Sequence, residues 1–201
     1  MNRKTAALAA FAVLFAAAAS AQLAVRVGLD LEGGLATLST EILADGTVTS
    51  YDPPDVVWDE GVGFDLSVEY TLEVERFLLV GGGLAFQLPR DVGAAGRSLA
   101  FLAPYATVRL PLEIEGITMG PMGRVGLAVA LPNQAFKDAA GYDSYGVGVD
   151  WSAGLTIKLG QGLFADLAYA ESRFTGDYTL LSDLRDTLRY SSVQVALGYR
   201  F

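Results

Sequence analysis

The sequence predicts an all-β fold, an eight-stranded antiparallel up-and-down transmembrane β-barrel, and three observations predict it. The chain is too apolar for an ordinary soluble domain yet holds no helical membrane span. Its apolar residues recur with period two over long runs. The connections between those runs alternate between short and long. Of 201 residues, 52% are hydrophobic and 18% charged, against about 45–50% and about 25% in typical soluble domains. Beyond Gln22 the longest uncharged stretch is Phe77 to Pro89, 13 residues that include Gly81-Gly82-Gly83. A helical span needs about 20 residues. In hydrocarbon every backbone donor and acceptor needs an internal partner, so a membrane chain without such a helix is left with the closed barrel.

The chain opens with a segment to be set aside. Asn2-Arg3-Lys4 is basic, Thr5 to Ala18 is apolar, and Ala19-Ser20-Ala21 reads as an A-x-A cleavage site. This is the pattern of a secretory signal peptide over residues 1–21, leaving 22–201 as the barrel domain. A membrane anchor would need a longer apolar run. Residues 22–201 then carry 12 basic and 23 acidic residues, a net charge of −11.

Eight strand segments follow, at about 23–31, 62–72, 77–88, 99–111, 117–131, 145–159, 163–171 and 190–201. The second is the plainest: Val62, Phe64, Leu66, Val68, Tyr70 and Leu72 share one face, and Gly63, Asp65, Ser67, Glu69 and Thr71 the other. Tyr145 to Leu159 alternates in the same way over 15 residues. Side chains alternate across a strand, and a tilted strand crosses a bilayer in about 9–11 residues. The segment at 77–88 is apolar on both faces, and Pro104 and Pro121 sit in the fourth and fifth. Three connections are short: Glu73 to Arg76, Leu112 to Gly116, and Gly160 to Gly162. Four are long, at about 32–61, 89–98, 132–144 and 172–189. An even number of strands with short turns at one end and long loops at the other is the plan of an outer-membrane barrel.

In the last segment Val193, Val195, Leu197, Tyr199 and Phe201 alternate with Ser192, Gln194, Ala196, Gly198 and Arg200. This resembles the C-terminal signature of bacterial outer-membrane β-barrel proteins. In that family a final Phe, an aromatic two residues earlier and alternating apolar residues upstream are read by the barrel-assembly machinery. By size the chain is similar to the small eight-stranded type, exemplified by the transmembrane domain of outer-membrane protein A and by outer-membrane protein X. The resemblance implies residence in the bacterial outer membrane, with outer-membrane lipid and the assembly machinery as partners. It does not imply a periplasmic peptidoglycan-binding domain, because no sequence follows Phe201.

If the apolar face meets lipid, the other face lines the lumen. That inward set holds the acids Asp30, Asp65, Glu69, Asp150 and Asp166 and the bases Arg26, Arg109, Arg124, Lys158 and Arg200. Unpaired charges in so narrow a space are costly, so they are expected to pair, in an interior that eight strands leave just wide enough for side chains to fill. Counted from the turns, Glu69 and Arg124 both fall near mid-barrel and are expected in one ion-pair network. Arg26, Arg109, Lys158 and Arg200 fall nearer the periplasmic end, with Asp166 as the nearest acid, so that end is expected to be basic. A salt-bridge plug is favoured over an ion-selective pore. Phe64, Phe86, Tyr145, Trp151 and Tyr190 toward the loops, and Tyr70, Tyr199 and Phe201 toward the turns, are read as aromatic girdles.

The first long connection holds Glu32, Glu41, Asp45, Asp52, Asp55, Asp59 and Glu60 and no base. Ala44-Asp45-Gly46 between β-prone stretches predicts a small hairpin over Thr40 to Ser50. Divalent-cation binding there lacks the D-x-D-x-D-G spacing, and a solvated acidic surface is the favoured reading, so no metal site is assigned. Nucleic acid is excluded as a partner, since phosphates need a basic footprint. No nucleotide-binding motif is present and no cofactor is expected. The barrel enzymes of the outer membrane resemble one another in depending on histidine, and this chain has none. The expectation is a non-enzymatic structural or envelope-integrity protein, with small-solute permeability. Two alternatives are a small porin lined by the lumen charges and a surface-binding protein acting through the acidic first loop.

Overall fold

The computed structural model describes residues 21–42, 48–51, 57–59, 62–91, 96–140, 144–177 and 184–201. Residues 1–20, which hold nearly all of the signal-peptide reading, lie outside them, as do Asp45, Asp52, Asp55 and Glu60 of the acidic loop.

Twelve strands form one antiparallel sheet. In chain order they are β1 (Ala21–Ile42), β2 (Val48–Tyr51), β3 (Val57–Asp59), β4 (Gly63–Glu75), β5 (Leu78–Asp91) and β6 (Ser98–Arg109), then β7 (Leu112–Ile114), β8 (Ile117–Pro132), β9 (Ser144–Tyr145), β10 (Gly148–Lys158), β11 (Leu163–Asp177) and β12 (Leu184–Arg200). A short helix, α1 (Gln134–Ala140), lies between β8 and β9. Eight of the strands close a ring in the order β1-β4-β5-β6-β8-β10-β11-β12, and β12 returns to β1 from Ala24↔Arg200 to Glu41↔Leu184. The eight predicted segments fall on these eight strands, overrunning their ends by at most three residues.

The alternation is realised as read. On β4, Phe64, Leu66, Val68 and Tyr70 are exposed on the outer face while Asp65, Ser67, Glu69 and Thr71 are buried inside. A band of exposed apolar side chains, Leu23, Val25, Val27 and Leu29 among them, surrounds the ring. In water such a surface would be an interaction site; in lipid it is the solvated face.

Strand lengths depart from the reading. β1 runs 22 residues and β12 runs 17, so much of what was expected as loop at 32–61 and 172–189 is strand. β1 outruns β4, and past Asp30↔Gly63 it pairs on that side with β3 at Gly33↔Asp59 to Leu35↔Val57 and with β2 at Ser39↔Tyr51 to Ile42↔Val48. The expected hairpin over 40–50 is therefore formed. At the other end the expected turn over 112–116 contains a further small hairpin, β7 against the start of β8. Its turn residues Glu115 and Gly116 have φ of 51° and 82°, the paired positive values of a type I′ hairpin, where glycine is strain-free.

Two irregularities reset the inside-outside phase. One interrupts β1 between Asp30 and Glu32, the other β5 between Gln87 and Arg90. The second contains Pro89, which has no N–H for a ladder and is tolerated at bulges. Beyond them Leu35 and Arg90 turn inward and are buried.

Candidate functional site: a charged layer and an apolar cap in the lumen

The lumen is filled at two levels. The lower is built from Arg26 on β1, Asp65 and Glu69 on β4, Arg109 on β6, Arg124 on β8 and Asp166 on β11, all buried. Arg109 is its centre. Its Nε donates to Glu69 Oε1 at 3.1 Å and its Nη2 to Oε2 at 3.2 Å, a two-pronged pair. Its Nη1 donates to Asp166 Oδ1 at 2.8 Å and to Thr156 Oγ1 at 3.1 Å. Arg26 Nη1 reaches Asp166 Oδ2 at 3.0 Å, and Arg124 Nη2 reaches Glu69 Oε2 at 3.4 Å. Asp65 stands 4.0 Å from Arg26. Three arginines thus meet three carboxylates, and planar guanidinium forks match carboxylate geometry.

Aromatic rings steady the layer. The Arg124 guanidinium lies 4.6 Å from the Tyr105 ring and that of Arg109 lies 5.0 Å from Phe164, both within cation–π range. The Tyr105 hydroxyl donates to Glu69 Oε2 at 3.1 Å. Gly83 makes room for this ring: a Cβ there would stand 2.7 Å from Tyr105 Oη. Of the Gly81-Gly82-Gly83 run only Gly83 makes room for the plug; Gly81 and Gly82 lie against the backbone of the flanking strands.

The upper level is apolar. Leu35, Leu99, Phe101, Ala130, Phe136, Phe174, Leu188 and Tyr190 form one buried cluster with Tyr145 packed against it. Phe101 meets Phe174 edge-on at 5.4 Å and Tyr190 at 5.5 Å between centroids. Phe136 is brought down onto the cluster by α1, whose N-cap is Asn133: Oδ1 accepts from the Phe136 N–H at 2.8 Å and from Ser98 N–H at 3.1 Å. Such caps satisfy a helix's free donors. Between the levels Asp30 accepts from Gln87 at 3.1 Å and Ser192 at 3.3 Å and lies 3.9 Å from Arg90, whose Nη1 donates to Tyr190 Oη at 2.7 Å. The space left there, beside Asp65, Tyr105 and Arg124, is about 40 Å3.

Of the ten charges read as luminal, six make the lower layer. Asp30 sits above it with Arg90. Asp150 is half-buried and takes a 2.6 Å hydrogen bond from Ser172. Lys158, the last residue of β10, is exposed and lines the turn-end mouth of the lumen rather than the buried layer. Arg200 is partly buried and lies 5.4 Å from the Phe164 ring. The ten-residue tally omits three buried charges, Arg90, Asp186 and Glu171, the last covered on the outer face by Trp151, Tyr169 and Arg173. Arg90 follows the β5 irregularity, and Asp186 lies on the part of β12 expected as loop. Tyr145 and Tyr190 belong to the cap, not to a girdle. Tyr190 shares the inward parity of Ser192, a signal the sequence did contain. Tyr145 belongs to β9, separated from β10 by Gly146 and Val147. Trp151 and Tyr169 stay on the outer face, 5.5 Å apart, beside Glu171. Val193, Val195, Leu197, Tyr199 and Phe201 line the outer face of β12 and its end. Among the described residues no cluster of metal-ligating side chains occurs.

The family profile described as "Outer membrane protein beta-barrel domain" matches residues 6–201. Among solved structures the chain is similar to Neisserial surface protein A, at 11% identity and TM-score 0.48, covering 90% of this chain and 99% of that one. It is similar to Ail, the attachment invasion locus protein of Yersinia pestis, at 15% identity and TM-score 0.41, covering 90% and 99%. It is also similar to the outer membrane protease OmpT from Escherichia coli, at 11% identity and TM-score 0.43, covering 90% and 97%. Among curated proteins, none matches the sequence closely enough to count as a relative.

Proposed function

We propose that this chain, which belongs to the outer membrane protein beta-barrel domain family and lies in the bacterial outer membrane, serves there as a sealed, non-enzymatic scaffold of the envelope. The observation that carries the reading is the double closure of the lumen. A charged layer whose members are at most 8% exposed lies under an apolar cap of nine residues, with about 40 Å3 between them. A pore lined by charge needs those charges hydrated, whereas these are spent on one another. Desolvated ion pairs resist opening, since separating them leaves uncompensated buried charge. The last strand, Val193 to Phe201, is proposed to direct insertion through the barrel-assembly machinery.

The test is single-channel recording of the refolded chain in planar bilayers. No conductance steps are expected at any voltage. Steps in the unaltered protein would overturn the sealed reading and restore the small porin. Opening is expected only when both levels are removed, as in Arg109→Ala combined with Phe101→Ala and Phe174→Ala. A second reading, surface binding, is favoured by the extension of β1 and β12 past β4, where β1 carries β2 and β3 as a ledge. Deleting residues 43–56 and measuring adhesion to host-cell surfaces tests it, with unchanged adhesion counting against it.

A further inference from the structure

A cavity of about 390 Å3 opens at the turn end of the barrel, beneath the charged layer. Short turns face the periplasm in such barrels, so this is a periplasmic vestibule. Its volume lies within the range of about 300–1,000 Å3 typical of small-molecule sites. Four cations line it, Arg76, Arg109, Lys158 and Arg200, against the carboxylate of Glu73 and the terminal carboxylate of Phe201. Arg109 forms the roof and is neutralised by Glu69 and Asp166. The other three, from the β4–β5 turn and the ends of β10 and β12, make no ion pair among the described residues. Arg200 Nε is buried without a hydrogen-bond partner. Glu75, Glu113 and Glu115 lie in the neighbouring turns but do not line the cavity.

Like charges gathered in a low-dielectric mouth concentrate a positive potential and draw in anions. Three unspent cations on three separate elements suit a ligand carrying more than one oxyanion group. We infer that the vestibule is a binding site for a small polyanion bearing two or more phosphate or carboxylate groups, entering from the periplasm and stopping at Arg109. The site is independent of the sealed reading, since it lies wholly below the charged layer.

Calorimetric titration of the full chain in detergent micelles, at fixed ionic strength, tests this with pyrophosphate and, separately, citrate. One site per chain for at least one of the two is expected, with the tighter binder identifying the oxyanion class. Lys158→Gln and Arg76→Gln, both exposed at the rim, are each expected to weaken binding roughly tenfold, the effect of losing one charge-assisted hydrogen bond. Arg189→Gln, on the outer face at the loop end, is expected to leave it unchanged. Arg200→Gln should be the most damaging, and if it fails to fold the two rim variants decide alone. Saturable binding of neither probe, or equal weakening by Arg189→Gln and Lys158→Gln, would overturn the inference.

Discussion

The two levels inside this barrel fill the same kind of space by opposite means. The lower is three arginines and three carboxylates held at 2.8–4.0 Å; the upper is aromatic and aliphatic side chains in van der Waals contact. Both draw on inward positions of β1, β6, β8 and β11; the lower adds β4, the upper β12 and α1. The lower level is surrounded by lipid, the upper lies where the strands run on past it. Packing of apolar groups tolerates gradual loosening, whereas a charge layer fails when one member is withdrawn. The barrel is therefore held rigid at its waist and left adaptable toward its loops.

Substitutions at each level measure that difference. Glu69→Ala removes the acceptor shared by Arg109, Arg124 and Tyr105, and should cost about 3–5 kcal/mol, the penalty for stranding buried charge, read from urea unfolding in detergent. Phe174→Ala opens a cavity in the cap and should cost about 3 kcal/mol, with the lower layer intact and heat-modifiable gel migration retained. A loss larger than that of Glu69→Ala would reverse the ranking of the two levels. Gly83→Ala pushes a methyl into Tyr105 and should cost about 1–3 kcal/mol through overpacking, detectable as a lowered thermal midpoint. Arg173→Gln breaks a 2.6 Å pair with Glu171 on the outer face, where Arg173 is 55% exposed. Glu171 itself is 5% exposed but keeps hydrogen bonds from Trp151 and Tyr169, so the loss should be about 1 kcal/mol, that of one hydrogen bond.

Period two and alternating connection lengths made the eight ring strands legible, since a membrane barrel repeats one rule at every strand. Glu69 and Arg124 could be placed together because both lie on uninterrupted alternation. Legibility ended at the irregularities. Between Gln87 and Arg90 the pairing register shifts, so counting parity along β5 places Arg90 outside when it is inside. A bulge leaves no mark in composition beyond Pro89. The apolar cap was missed for a related reason. Phe101, Phe174 and Leu188 are hydrophobic residues facing inward, and the rule that apolar residues face lipid holds only within the depth of the bilayer. Tyr190 was misplaced by residue type when its parity was already decisive.

The seam between β1 and β12 has a kinetic consequence. It joins Ala24 to Arg200 and Leu29 to Val195, the parts of the chain farthest apart in sequence, while every other neighbouring pair in the ring lies far closer along the chain. Pairings of such separation must meet their loop-closure entropy before any of their contacts form, and they slow folding. The ring therefore has to exist first as an open sheet with two long unsatisfied edges, a species that pairs readily with other chains. Closing the seam is what turns that sheet into a hoop with no edge to extend. A variant weakened at Leu29 or Val195 should betray itself less in final stability than in the time the open sheet survives, and in how much is lost to aggregation while it does.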